Sequence, residues 1–232
     1  MKRVLVLCLM AVLTAVPNIF ADQVSLVGGS GYGPYQMGIA GEFTLQPNAG
    51  LSWVLSFYNA NPATQTRDVL GLTDTFQTFC VEINEYIYPY ATYDATISQK
   101  SIYTGVTLTL GAAWLYDQFA LGSLQNYDYT RANTGPVQDL QNAVWYFMGV
   151  GAYDPLNQYI QLADTTFGTD ANALAPSAGA YNVAVLNLWA PGQVDTPEGA
   201  RQDQLVLVPE PSALTLMGFA FSGLLLLRRK NR

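Results

Sequence analysis

The 232-residue chain predicts an α+β fold: a strand-rich sandwich or barrel-like domain with an inserted group of about three helices, between an N-terminal signal peptide and a C-terminal membrane helix. Three observations lead there. Short runs of alternating apolar and polar residues, bounded by Gly, Pro and Asn, fill the first half of the chain and return near its end. Between about residues 107 and 168 the apolar period changes from 2 to 3.6. At each end an apolar run lies beside basic residues that the centre almost lacks.

Taken in order, Met1-Lys2-Arg3 heads an apolar run from Val4 to Val16, too short for a stable span, and Ala21 closes a cleavage site. Residues 1–21 therefore read as a secretory signal peptide, which removes Cys8 with it. Gln23 to Val27 opens the exported domain, 22–208, as a strand. The loop Gly28 to Pro34 is glycine-rich but lacks the strand-to-helix setting of a phosphate cradle. Gly41 to Leu45 and Leu51 to Tyr58 read as paired strands around the turn Pro47-Asn48-Ala49-Gly50, followed by a polar loop to Leu72.

Thr75 to Tyr88 reads as one strand, with Phe79, Val81 and Ile83 on one face and Phe76, Thr78, Cys80 and Glu82 on the other. That places Cys80 on the less apolar side. Tyr86 to Tyr103 reads as an aromatic edge or hairpin, with Pro89 confining it to an edge or turn. Its tyrosines fit either cross-strand pairs or a sugar-binding face.

Helical spacing then appears in Leu108 to Leu121, stopped by Gly122, and in Gly135 to Gly151. A third helix is expected with Asp154 as cap and Pro155 at its first position, ending at Gly168. Tyr181 to Trp189 and Gln204 to Val208 return to strand.

Charge narrows the function. Lys and Arg number four against 17 acidic residues between 22 and 211, a formal −13 for the exported part. Such a surface repels phosphate backbones and anionic lipid, so no nucleic-acid partner is expected. The chain has no histidine, which removes Ser-His-Asp and Cys-His machinery and most zinc and copper sites. No cofactor and no metal are expected: the acids are dispersed, and Asp164 to Asp170 lacks EF-hand spacing. Glu82 and Glu85, three apart, fall on opposite faces of one strand and make no glycosidase pair from it.

One polar residue stands where the helical pattern calls for an apolar one. In Gly135 to Gly151, Val137, Leu140, Val144, Phe147 and Met148 form a stripe, and Gln141 lies inside it. A buried amide needs a partner. That partner is either a neighbouring loop or Cys80, the sole thiol of the exported domain. A thiol held against a glutamine amide in a dry site can displace ammonia and leave an internal thioester.

Phe79-Cys80 together with Leu140-Gln141, Val144 and Trp145 resembles the Cys–Gln thioester domains of bacterial surface adhesins. The resemblance implies that Cys80 is the nucleophile and Gln141 the acyl source, with Phe79, Leu140, Val144 and Trp145 packed around the bond. It implies a single covalent attachment to an amine- or hydroxyl-bearing surface or matrix polymer, and so not an enzyme. The alternative is a non-covalent structural or carbohydrate-binding matrix protein whose Cys80 is a free thiol or an intermolecular disulfide.

At the C-terminus, Pro209-Glu210-Pro211 precedes an apolar stretch at 212–227 and the cluster Arg228-Arg229-Lys230. The stretch is long enough for a membrane helix with snorkelling arginines, its basic end held in the cytoplasm. This order, over 209–232, resembles the PEP-CTERM sorting signal of Gram-negative bacteria. The resemblance implies exosortase and the secretion machinery as partners, a transient anchor in the inner membrane, cleavage near Pro209 to Pro211, and release to the envelope, surface or extracellular matrix.

Overall fold

A computed structural model describes residues 22–27, 41–59, 66–129 and 135–209. The expected signal peptide, the loop at 28–34 and the expected membrane helix at 212–227 lie outside them. Among the described residues no helix is long and apolar enough to cross a membrane.

Among the described residues six strands form one antiparallel sheet: β1 (Gln23–Leu26), β2 (Phe43–Pro47), β3 (Phe76–Thr78), β4 (Thr92–Ser98), β5 (Val183–Trp189) and β6 (Ala200–Leu207), in the order β3-β2-β1-β4-β5-β6. The sheet curls until its two edges meet. Leu205 N–H donates to the Phe79 carbonyl at 3.1 Å and Val81 N–H to the Asp203 carbonyl at 3.0 Å, so Cys80 pairs with Gln204 across the seam. The Thr78 hydroxyl adds a 2.6 Å bond to the Leu205 carbonyl. Closure satisfies backbone groups that two open edges would leave bare, and the barrel-like expectation holds in this half-closed form.

Among the described residues there are four α-helices, α1 (Leu110–Ala120), α2 (Gly135–Phe147), α3 (Gln158–Phe167) and the short α4 (Asp170–Ala173); α1 packs on β3, β5 and β6, and the other three pack around α1. All seven residues of β5 are buried, because α1 packs on the face that water would otherwise wet. Thr109 caps α1 by accepting from Ala112 N–H, and Gly122 at φ +72° ends it, as its sequence signals require. The third helix begins later than its Asp154-Pro155 signal. Asn157 is the cap, accepting from Tyr159 and Ile160, while Asp154 closes the turn before it through Leu156 N–H. Leu156 is consequently 85% exposed and belongs to no helical face.

Two expected strands are corrected. Leu51 to Tyr58 holds a 3-10 helix, Ser52–Phe57, and the buried residues Leu51, Val54, Leu55 and Tyr58 follow the helical i, i+3, i+4, i+7 spacing. The partners of β2 are instead β1 and β3. The expected strand from Thr75 to Tyr88 ends at Thr78, with only the Cys80 bridge beyond it. The two faces assigned to it also differ in outcome from expectation: Phe76, Thr78, Phe79, Cys80, Val81 and Glu82 are all buried. A seam strand covered on both sides loses the alternation that a half-wet strand shows.

The approach of α1 to α2 depends on Gly111. A Cβ there would lie 2.8 Å from Cδ1 of Phe147 on α2, inside contact distance of the ring. Gly111→Ala gains about 1 kcal/mol of helix propensity, but overpacking a filled core costs about 1–3 kcal/mol. The expected outcome is net destabilisation, read as a lower urea midpoint with unchanged slope. The position matters because α2 carries Gln141.

Candidate functional site

The register of β2 against β3 explains why an amide is needed beside Cys80. Phe43 pairs with Thr78, so two further steps would set Gly41 opposite Cys80. The ladder opens there instead. Across the seam, Cys80 and Gln204 form a pair whose bonds are made by the flanking residues, leaving the N–H and C=O of Cys80 directed away from β6.

Gln141 fills that opening. Its Oε1 accepts from Cys80 N–H at 3.3 Å and from Gly41 N–H at 3.3 Å, while its Nε2 donates to the Cys80 carbonyl at 2.8 Å. The amide stands in for a missing strand neighbour. Its orientation follows from these partners, since donors surround the oxygen and a carbonyl faces the nitrogen. The Cys80 thiol makes a further contact, Sγ to Oε1 at 3.4 Å. Cys80 and Gln141 are both fully buried.

The surroundings are dry. Phe79, Leu140 and Val144 show no exposed surface, and the Phe79 ring meets Phe119 of α1 edge-on with centroids 4.9 Å apart. Burial, acting first, pushes the Cys80 thiol up to about 12; the nearby Trp145 indole lowers it and the Glu82 charge raises it. The Trp145 Nε1–H is buried and makes no hydrogen bond of ordinary geometry, so its effect falls on the sulfur. At neutral pH the sulfur is a protonated thiol that must shed its proton to react. Its burial also corrects the intermolecular-disulfide alternative: no sulfur surface is open to a second chain.

Chemically, the arrangement holds a thiol against an amide whose oxygen already receives two backbone N–H groups. Donors so placed stabilise the oxyanion of a tetrahedral intermediate. Of the residues expected from the sequence, Cys80 and Gln141 are brought into contact and Trp145 acts on the same sulfur, while Phe79, Leu140 and Val144 are buried at neighbouring positions of the chain. Gly41 was not legible as part of it, because its role comes from strand register and not from its side chain. Glu42 beside it is buried at 1% exposure and accepts from the Tyr127 hydroxyl at 2.8 Å, which anchors the chain next to that N–H.

A second polar cluster lies two residues further along the seam. Glu82 accepts from Ser101 Oγ, from Tyr103 N–H at 3.0 Å and from Asp203 N–H at 3.1 Å. Asp203 accepts from Ile102 N–H at 2.6 Å, Leu188 N–H at 3.2 Å and Asn187 Nδ2 at 2.9 Å. Both carboxylates are fully buried. Burial, and then the charge of Glu82, push the Asp203 carboxyl well above the usual carboxylate range. Alternation along one strand gave no sign of this cluster, since Asp203 comes from the far end of the chain.

Residues 207–230 match the family model of the PEP-CTERM protein-sorting motif. The match includes Pro209, Glu210, Pro211, Arg228 and Arg229; of these only Pro209 is among the described residues. No curated protein and no solved structure is significantly similar to the chain.

Proposed function

We infer from the sorting motif that the chain is processed by an exosortase and exported to the cell envelope or surface. We propose that the exported domain forms an internal thioester between Cys80 and Gln141 and uses it once to attach to an amine- or hydroxyl-bearing surface or matrix polymer. The observation that carries this reading is the bond network on Gln141 Oε1: the thiol at 3.4 Å, and two backbone N–H groups at 3.3 Å.

In the forming step the Cys80 sulfur adds to the Gln141 amide carbon, giving a tetrahedral oxyanion held by the N–H groups of Gly41 and Cys80. The C–N bond then breaks, the thiol proton leaves with the nitrogen, and ammonia departs. The Trp145 N–H favours the sulfur as it loses that proton. In the attaching step an outside amine adds to the same carbon, the C–S bond breaks, and the products are an amide at position 141 and the Cys80 thiol. Each domain does this once, so the role is stoichiometric attachment and not turnover. Lys100 is the single lysine between 22 and 211, which leaves little competition from within.

Amine uptake tests the reading. The natively exported domain, treated with methylamine and mapped by peptide mass, is expected to carry methylamine at position 141 and a newly alkylatable Cys80. Cys80→Ala and Gln141→Ala should take up none. A wild-type domain that takes up no methylamine, while Cys80 reacts with iodoacetamide on denaturation, contradicts the proposal.

A further inference from the structure

Beyond the seam, residues 83–90 lie outside the strands, with bends at 83–84, no regular structure at 85–88 and a turn at 89–90 where Tyr90 has φ +62°, and along them half-buried and exposed residues alternate. Tyr86, Tyr88 and Tyr90 fall on the exposed side at 49, 64 and 75%. The expected cross-strand aromatic pairs do not form there: none of the three rings meets another described aromatic residue. The backbone under the row is nonetheless fixed, because Tyr88 N–H donates to the Tyr93 hydroxyl at 2.6 Å.

The segment also supplies Glu85 to a cleft of about 400 Å³, a volume in the range of small-ligand sites. Tyr103, Trp189, Asp195, Thr196 and Ala200 line it as well. Tyr103 is 58% exposed, and its backbone is held by Glu82. The cleft therefore joins an exposed aromatic ring on a held backbone to side-chain acceptors, and the segment that supplies Glu85 carries three more exposed rings.

We infer that this cleft, with the exposed tyrosines of the segment leading out of it, binds a neutral polysaccharide, the rings stacking on the apolar faces of sugars and Glu85, Asp195 and Thr196 accepting from their hydroxyls. Charge selects the class: with −13 on the exported part, anionic polymers and anionic membranes are repelled. A membrane-seeking face would present basic residues beside large apolar ones, and this one presents phenols beside carboxylates. The inference is independent of the thioester, so it is tested without it.

The exported domain with Cys80→Ala is run through native gels containing dextran, glucomannan, xylan, galactan or β-glucan. Retardation in at least one neutral gel is expected, weakened roughly tenfold by Tyr88→Ala and by Tyr103→Ala, as loss of a central aromatic anchor does elsewhere. Leu156→Ala, which trims an exposed side chain away from the face, should leave it unchanged. Because these tyrosines are exposed, unchanged thermal unfolding of each variant separates lost binding from lost fold. Mobility unaffected by every gel, retardation indifferent to both tyrosine variants, or retention on polylysine with none on the glycans overturns the inference.

Discussion

In a Cys80→Ala background, Gln141→Leu is expected to lower the stability of the exported domain by about 3 kcal/mol or more, although no covalent bond is present to lose. The substitution is close to isosteric, yet it strips three buried backbone groups of their partner: the N–H of Gly41, and the N–H and C=O of Cys80. Each orphaned group costs about 1–3 kcal/mol, because water cannot replace the amide in a fully buried site. The urea midpoint should fall with little change in slope. A loss below about 1 kcal/mol would mean that the amide does not hold the opening between β2 and the Cys80 bridge.

The second large effect is a pH dependence with the sign opposite to ordinary acid denaturation. Burial first, and then Glu82, raise the carboxyls of Asp203 and Glu85, with Arg201 offsetting part of the effect on Glu85. Burial also raises Asp117 and Asp164. A carboxyl whose folded pKa lies above its unfolded value keeps its proton longer in the native state. Between the two values the folded chain holds more protons, so stability falls as pH rises. The window opens at the unfolded carboxylate range near 4 and closes at the elevated folded values, with a slope of up to about 1.4 kcal/mol per proton per pH unit.

The domain should thus melt higher at about pH 5 than at pH 8, helped by relief of the net negative charge. Asp203→Asn should flatten that slope. It should also lower stability throughout, because donors meet both carboxylate oxygens and an amide NH2 would face one of them. A melting temperature that climbs steadily from pH 5 to pH 8 would contradict this account.

The legibility of these features follows the range of the forces behind them. Helices α1 and α2 were readable because capping and a one-sided apolar stripe are local. The start of α3 was misjudged because Asp154-Pro155 and Asn157 are both competent starts, and only burial of Tyr159, Ile160 and Ala163 chooses between them. Leu51 to Tyr58 contains both periods, and packing selects the helical one. The pairing of Cys80 with Gln141 was readable from two anomalies, a single thiol and a polar residue in an apolar stripe. Gly41 and Asp203 were not, since each arrives by strand register from a distant part of the chain. Register is a tertiary outcome that a lone sequence does not display.

The most direct test of the central claim is the intact mass of the natively exported domain, measured without denaturing nucleophiles. Formation of the Cys80–Gln141 bond predicts a mass lower than the processed sequence by one ammonia, with the deficit absent from both Cys80→Ala and Gln141→Ala. A wild-type mass equal to that of the processed sequence, with one titratable thiol on unfolding, would contradict it.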